Sequence, residues 1–329
     1  MIVSFVVDPE ALWYFSGDPA LSRSNHRRFI DLLARLGALV YGDGVGPTLD
    51  EVIRRIPDQD TRKLWQLSTR RNRKRAVSAA DWPVLTATKS VEELNPLAAY
   101  AQLACLEPVR AVVFGLPEDE TCFRMDGCAI EICRFDAADQ SEGFKDAETL
   151  SRQSVEVGEL AKDVWRTRFM ALARFSEQVV VVDPYCVLQH EASLAGGNRG
   201  PSGLHRLLTE LDATGLPHRV KIFAAADKDG RPDEARAEQL IQAEWRQMAR
   251  GGVREIELRW GLSNHGFVSV AHDRYVRFDK AMLNLGGGIE VLAGHSVIRR
   301  SACSLEPCNG PSDVEKSLLP RTVLIRVGP

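Results

Sequence analysis

Apolar and polar positions follow two different patterns along this chain, and the change comes near residue 140. Residues 1–8 predict a buried strand, and "SNHRRFIDLLARLGALVYG" has apolar residues at helical spacing, with Ser24 or Asn25 as candidate helix N-caps. "TLDEVIRRI" and "DTRKLWQLSTRRNRKRAV" predict further amphipathic helices, and "VRAVVFGLP" and "CAIEICRFD" predict strands. We therefore expect a mixed α/β domain over residues 1–140.

A polar segment over residues 137–160 is the predicted linker, and a helix is expected to follow it over 157–176. Beyond it, strand and helix patterns alternate. "QVVVVDPYCV" is almost continuous in valine, as expected for a strand covered on both faces, whereas "GIEVLAG" predicts a short strand near the end. This alternation predicts a second α/β domain over 155–329, with a mixed sheet flanked by helices.

Composition restricts the classes of protein that fit. The 329 residues carry 42 Lys and Arg against 45 Asp and Glu, a net charge of −3. Because this total is small, only local clusters of charge indicate what the protein binds. No apolar run approaches ~18 residues, so no membrane span is expected, and the start lacks a basic leader, which favours a cytoplasmic location. Seven cysteines without a CxxC pair predict neither a disulfide framework nor a metal site, and we expect no cofactor.

The chemistry-bearing segment is "HDRYVRFD", in which His272, Arg274 and Asp279 form the pattern H-x-R-x4-D. Alternate residues of a strand share a face, so His272 and Arg274 can meet one anion. A histidine can attack phosphorus as a covalent nucleophile, and the cation can neutralise the phosphate oxygens. Asp279 is the candidate for orienting the imidazole. Asp273 and Arg277 are expected on the other face as solvated charges.

This spacing resembles the H-x-K-x4-D motif of the phospholipase D superfamily, with arginine in place of lysine. "VVVVDPYCV", "REIELRW", "VAHDRYVRFDKAMLNLGGGIEVL" and "SACSLEPC" resemble, in order, the phospholipase-D-like C-terminal domain of ESCRT-associated MIT-domain proteins. The resemblance covers about residues 165–312 and implies that fold for the C-terminal domain. Asn284, followed by three glycines, is a loose counterpart of the GSxN stretch of active members, so Asn284 and Arg274 are the predicted phosphate-binding residues.

Active members of that superfamily need two such motifs, because one histidine attacks while another protonates the leaving group. This chain has one, so we expect a homodimer, or else a second histidine among His190, His265 and His295. His190 itself is predicted to lie on the surface or in a loop, with its hydrogen bonds satisfied. The lead hypothesis is a metal-independent nuclease in bacterial defence or DNA processing, acting on DNA or RNA.

Two other classes of function stay open. The C-terminal domain could be a non-catalytic module that binds nucleic acid, phospholipid headgroups or a protein partner, as the MIT-domain branch implies. It could also be a structural subunit of a complex in which the N-terminal domain does the work or binds a protein partner.

A basic run in the N-terminal domain adds a second candidate contact with nucleic acid. Clustered cations with an interleaved aromatic residue are typical of surfaces that bind phosphate backbones, although a solvated helix end is the alternative. The predicted nucleic-acid-binding residues are Arg70, Arg71, Arg73, Lys74 and Arg75.

Overall fold

The chain folds into two compact units, Met1–Thr149 and Leu150–Pro329, in a computed structural model. The structure describes all residues except 14–17, 45, 79–81, 84, 118–119, 125–129, 197–199, 249–250, 263–266, 268–269, 271–272 and 329. Each unit has one mixed sheet with helices against it, which confirms the predicted α/β class. Among the described helices, none has the length and apolar character needed to cross a membrane.

The N-terminal unit contains six strands and six α-helices among its described residues. The strands are β1 (Val3–Val7), β2 (Gly37–Gly42), β3 (Lys74–Val77), β4 (Leu103–Leu106), β5 (Cys122–Phe123) and β6 (Glu131–Arg134). The α-helices are α1 (Pro9–Trp13), α2 (Pro19–Leu36), α3 (Leu49–Arg54), α4 (Gln59–Arg71), α5 (Pro108–Val113) and α6 (Glu142–Arg152). Shorter 3-10 helices cover Leu85–Ala87, Glu92–Ala99 and Phe135–Gln140.

The sheet of this unit has the order β3-β2-β1-β4-β6-β5, in which only the edge strand β5 is antiparallel. The strand order reverses between β1 and β4, where crevices form at the carboxyl ends of doubly wound sheets. An aromatic cluster of Phe5, Phe29, Phe135, Phe144 and Trp65 packs beside the sheet, with Phe5 and Phe29 edge to face. Val3, Phe5 and Val6 of the first strand are buried, as its apolar sequence requires.

Several predictions in this unit need correction. The segment "VRAVVFGLP", predicted as a strand, forms the helix α5. The second helix begins after Asp18, whose carboxylate accepts the N–H groups of Ala20 and Leu21, so Ser24 and Asn25 lie inside the helix. The end of the same apolar segment is the strand β2, because a continuous apolar run fits a buried strand as well as a helix. The predicted linker is also wrong over its central part, where α6 forms.

The C-terminal unit contains seven strands and six further α-helices among its described residues. The strands are β7 (Gln178–Val182), β8 (His218–Ala225), β9 (Val253–Gly261), β10 (Tyr275–Phe278), β11 (Ala281–Leu285), β12 (Cys303–Pro307) and β13 (Val323–Val327). The helices are α7 (Ala161–Val164), α8 (Met170–Arg174), α9 (Cys186–Ala195), α10 (Gly203–Ala213), α11 (Glu234–Gln247) and α12 (Asp313–Leu318). A π-helical turn, Trp165–Phe169, joins α7 to α8, and a 3-10 helix covers Gly288–Leu292.

The second sheet has the order β12-β11-β10-β7-β8-β9-β13, with β7, β8 and β9 parallel and the other pairs antiparallel. The valines of β7 are fully buried at the centre of the sheet, as their sequence predicts. "GIEVL" is a 3-10 helix instead of the predicted strand. The reason is a contact with a distant part of the chain: Ile289 donates its N–H to Asp183 at the end of β7, which turns the chain away from the sheet.

Candidate functional site

Asp183 follows β7 directly and is buried at the carboxyl end of this central strand. Its carboxylate accepts the backbone N–H groups of Tyr185 and Ile289, each at 3.0 Å. Burial raises the pKa of Asp183, and these N–H groups and the charge of Arg274 oppose the rise. Asp183 therefore ties the segment after β11 to the end of β7.

Arg274 directly precedes β10, and its guanidinium lies against the glycine-rich turn after β11. Nη1 donates to the carbonyl oxygen of Gly287 at 3.3 Å, and Nη2 donates to that of Gly286. The guanidinium carbon lies 5.8 Å from the centre of the Tyr185 ring, within the range of a cation–π contact. Arg274 is thus held at the same end of β7 as Asp183.

Gly288 explains why this turn is rich in glycine. Its φ is +67°, a conformation that disfavours a side chain. A Cβ at this position would overlap the carboxylate of Asp183 and lie 3.1 Å from Cδ of Arg274. The close approach of the three residues therefore depends on glycine at this point.

A cavity of about 1090 Å³ opens beside Arg274, and we call it the Arg274 groove. Four of its lining side chains carry, or can carry, positive charge: Arg274, His295, Arg299 and Arg300. Arg300 also pairs with Glu156 at 3.0 Å. Glu290 is the one acidic residue among those the structure shows lining the groove, and burial raises its pKa, which favours its neutral form. The groove is therefore electropositive, and its volume matches or exceeds that of ordinary ligand pockets of ~300–1,000 Å³.

The predicted catalytic residues do not come together as one described site. His272 lies outside the described residues, as does His265, one of the candidates for the second histidine. Arg274 precedes β10 and Asp279 follows it, so their backbones are roughly 16 Å apart at ~3.3 Å per residue. The Asp279 carboxylate accepts the N–H groups of Glu177 at 2.7 Å and Gln178 at 3.2 Å, at the start of β7. Asp279 is a turn residue at the end of the sheet away from Arg274, and the structure does not unite the two.

Asn284 is also separated from Arg274. It pairs across the sheet with Tyr275, and directly paired residues of antiparallel strands share a face. Its Nδ2 donates to Ser304 Oγ at 3.4 Å. Arg274 comes one position before Tyr275 and so belongs to the opposite face. The predicted joint binding of a phosphate by these two side chains has no counterpart in this geometry.

Arg277 was expected to be a solvated charge, and that prediction is wrong. Its side chain is buried on the face that α12 covers. Nε lies 2.7 Å and Nη2 2.8 Å from the two carboxylate oxygens of Glu315, a bidentate ion pair. The expectation failed because the helix that covers this face lies more than 30 residues away in the chain.

The basic run of the N-terminal unit spans the end of α4 and the start of β3. Arg70, Arg71, Lys74 and Arg75 are exposed there, as a surface that contacts nucleic acid requires. We call these four residues the α4–β3 basic patch. Its strand β3 is an edge strand, so the patch lies on an outer margin of the sheet.

Arg73, in the same run, has a different role and is a correction to the prediction. It is buried, and its Nε donates to the carbonyl oxygen of Gly37 at 2.9 Å. Its Nη2 donates to the carbonyl oxygens of Ala34 and Arg35 at 3.0 and 3.1 Å. These are carbonyls left unpaired at the end of α2, so Arg73 caps that helix and cannot reach nucleic acid.

His190 is buried on α9 instead of lying on the surface or in a loop as predicted. Its Nδ1 lies 2.9 Å from Ser202 Oγ, and its Nε2 lies 3.3 Å from Glu244 Oε1. The other oxygen of Glu244 lies 2.8 Å from Nδ1 of His205. The partners come from three helices and from no common motif, so no local signal in the sequence could have identified this cluster.

A buried ion pair marks the point where the strand order of the first sheet reverses. Asp8 follows β1 and is fully buried, 3.0 Å from Nη1 of Arg110 on α5. Burial raises the pKa of Asp8 to about 6 and outweighs the opposing effect of Arg110. Arg110 also donates to the carbonyl oxygens of Leu85 and Thr88, so it fixes the segment that crosses this end of the sheet.

Comparison of the chain with protein-family models gives no match, and comparison with curated protein sequences gives none either. The likeness to the phospholipase D superfamily therefore remains a prediction from the motif and segments quoted above. Within the described residues, no three His, Cys, Asp or Glu side chains lie close enough together to hold a metal ion.

Proposed function

We propose that the protein binds a nucleic-acid strand by its phosphodiester backbone and hydrolyses it without a metal ion, with a phosphate held in the Arg274 groove. The observation that carries the proposal is the position of Arg274 at the carboxyl end of the central strand, lining a large electropositive cavity. An arginine fork can give two hydrogen bonds to one phosphate, and a groove of one charge sign concentrates ligands of the other.

Two further features support a polymeric ligand. The cations Arg299 and Arg300 extend the positive lining beyond a single phosphate site. The α4–β3 basic patch offers further exposed cations in the N-terminal unit. A strand that engages several cations binds with a strong dependence on salt concentration.

Hydrolysis needs a nucleophile and a proton donor in addition to the phosphate site. The sequence predicts His272 as the nucleophile, and with one motif per chain it predicts a homodimer. A dimer would have twice the 36.5 kDa mass of the chain in light scattering. A non-catalytic module that binds nucleic acid in the same groove is the alternative, and it needs only the cations described above.

The test is cleavage of labelled single-stranded DNA and RNA in the presence of EDTA. Wild type is expected to cleave at least one of them, and Arg274→Met is expected to lose both binding and cleavage. Arg219→Met removes an exposed arginine of the same unit outside the groove and is expected to behave as wild type.

The outcomes separate the two functions. If His272 is the nucleophile, His272→Asn binds the strand without cleaving it. A wild type that binds both polymers and cleaves neither identifies a binding module. A wild type that binds neither polymer contradicts the whole proposal.

A further inference from the structure

A hydroxyl at the wall of the Arg274 groove contacts a buried imidazole, and a buried carboxylate lies beside that imidazole. Ser202 lines the groove directly before α10 and is 3% exposed, and its Oγ lies 2.9 Å from Nδ1 of His190. On the far side of the imidazole, Nε2 lies 3.3 Å from Glu244 Oε1. This is the order of groups that activates a serine hydroxyl in hydrolases.

The positions of the protons follow from these partners. Burial lowers the pKa of His190, so the imidazole is neutral near pH 7 and carries one N–H. Nε2 lies 3.3 Å from a carboxylate oxygen of Glu244 without the alignment of a hydrogen bond, and the negative charge of that carboxylate favours the tautomer with the hydrogen on Nε2. Nδ1 is then bare, and the hydroxyl of Ser202 must donate to it. His190 is thus in the protonation state of a general base.

The start of α10 favours negative charge on the same oxygen. Ser202 is the N-cap of this helix of 11 residues, and the N–H of His205 donates to Ser202 Oγ at 3.1 Å. The positive end of the helix dipole therefore points at the oxygen that would become the nucleophile. A cap requires only an acceptor oxygen, whereas the buried imidazole and carboxylate behind it are what a nucleophile requires.

We propose that Ser202 is the nucleophile of the Arg274 groove, with His190 as its general base and the negative charge of Glu244 beside His190 stabilising the imidazolium that forms when the base takes the proton. The inference rests on the proposed function in one respect: the electrophile is the phosphorus of a phosphodiester bound in the groove. It assigns to Ser202 the step that the sequence assigned to His272, and it needs no second motif from a partner chain.

The reaction has two displacements. In the first, Ser202 Oγ bonds to phosphorus while the bond from phosphorus to the leaving oxygen breaks. The hydroxyl proton passes to Nδ1 of His190 and then to the leaving oxygen. In the second, water attacks the phosphoserine, gives a proton to Nδ1, and releases a phosphomonoester and the free hydroxyl as Ser202 Oγ recovers that proton.

The first test uses a fluorescent fluorophosphonate, which phosphonylates activated serines and does not depend on binding of nucleic acid. Wild type is expected to be labelled, with the label mapped to Ser202 by mass spectrometry. Ser202→Asn keeps a good N-cap residue and is expected to lose the label, as is His190→Gln. Ser193→Ala is the matched control, because Ser193 lines the same groove but donates to the carbonyl oxygen of Gly200.

Melting curves establish that each variant is folded before labelling is compared. Loss of label in Ser202→Asn and its retention in Ser193→Ala support the assignment. Absence of label in folded wild type, or full labelling of Ser202→Asn, overturns it.

The second test identifies the intermediate during cleavage of a labelled strand. Acid quench is expected to trap a phosphoserine, which survives acid, and an acid-labile phosphohistidine would overturn the proposal. These results differ from failure of the proposed function, in which wild type would bind no nucleic acid whether or not Ser202 reacts with the probe.

Discussion

Replacing Arg277 with methionine is expected to destabilise the C-terminal unit strongly. Both members of the Arg277–Glu315 pair are almost fully buried, and two hydrogen bonds of 2.7 and 2.8 Å join them. Methionine fills much of the arginine volume but leaves the Glu315 carboxylate buried without its cation. Breaking a buried pair in this way costs about 3–5 kcal/mol in free energy of unfolding. For a unit of this size, that corresponds to a fall in melting temperature of roughly 10 °C.

The double variant Arg277→Met, Glu315→Met separates the loss of a pair from the loss of packing. Replacing both charges removes the uncompensated carboxylate, and such replacements are often neutral. Glu315 also completes the capping box of α12 with Ser312, which contributes about 1 kcal/mol. The double variant is therefore expected to be more stable than Arg277→Met and slightly less stable than wild type.

The assay is unfolding in urea, monitored by hydrogen–deuterium exchange. Peptides from β7 and β10 report on the C-terminal unit alone. Arg326→Met is the control, because Arg326 is 63% exposed and lies 4.0 Å from Glu255, so its loss should change stability by less than about 0.5 kcal/mol. A cost below about 1 kcal/mol for Arg277→Met would mean that Arg277 is solvated. Arg274 and Arg277 belong to the same extended segment, in which alternate side chains point to opposite faces. A solvated Arg277 would therefore also refute the assignment of Arg274 to the opposite face of the sheet.

Three further predictions concern Arg73, Asp8 and Gly288. Arg73→Met is expected to lower the free energy of unfolding in urea by about 2–3 kcal/mol, because it leaves buried carbonyl oxygens of α2 without a hydrogen-bond donor. Arg75→Met should change it by less than about 0.5 kcal/mol. Equal effects of the two substitutions would refute the distinction between a buried cap and an exposed cation. The pKa of Asp8 is raised to about 6 from 3.8. Folded protein therefore holds this proton longer than unfolded protein, and the group loses about 3 kcal/mol of stability as pH rises from about 4 to about 7, so the advantage of Asp8→Asn should grow with pH. Gly288→Ala is expected to cost at least about 2 kcal/mol and to weaken binding of oligonucleotides, and an unchanged melting curve would contradict the packing at the Arg274 groove.

The features of the fold that the sequence predicts well are those that depend on local pattern. Four consecutive valines predict a central buried strand, and β7 is that strand. The sequence fails where distant elements decide the environment. Arg73 and Arg75 look alike in the basic run, but only the end of α2 distinguishes the buried cap from the exposed cation.

The same limit applies to the candidate site. The motif spacing indicates Arg274 but assigns Asp279 to it as well, because a one-dimensional pattern does not say that a short strand separates the two. Ser202, His190 and Glu244 come together only through the packing of α9, α10 and α11. No spacing rule relates residues from three helices, so this cluster can be found only in three dimensions.

The central claim is that Arg274 holds a phosphate, and the salt dependence of oligonucleotide binding tests it most directly. The dissociation constant of a labelled single strand of about 20 nucleotides is measured for wild type, Arg274→Met and Arg219→Met between about 50 and about 200 mM salt. Arg274→Met is expected to bind roughly tenfold more weakly and to lose about 1 from the slope of log affinity against log salt, with Arg219→Met unchanged. Equal affinity and slope for Arg274→Met and wild type would contradict the account.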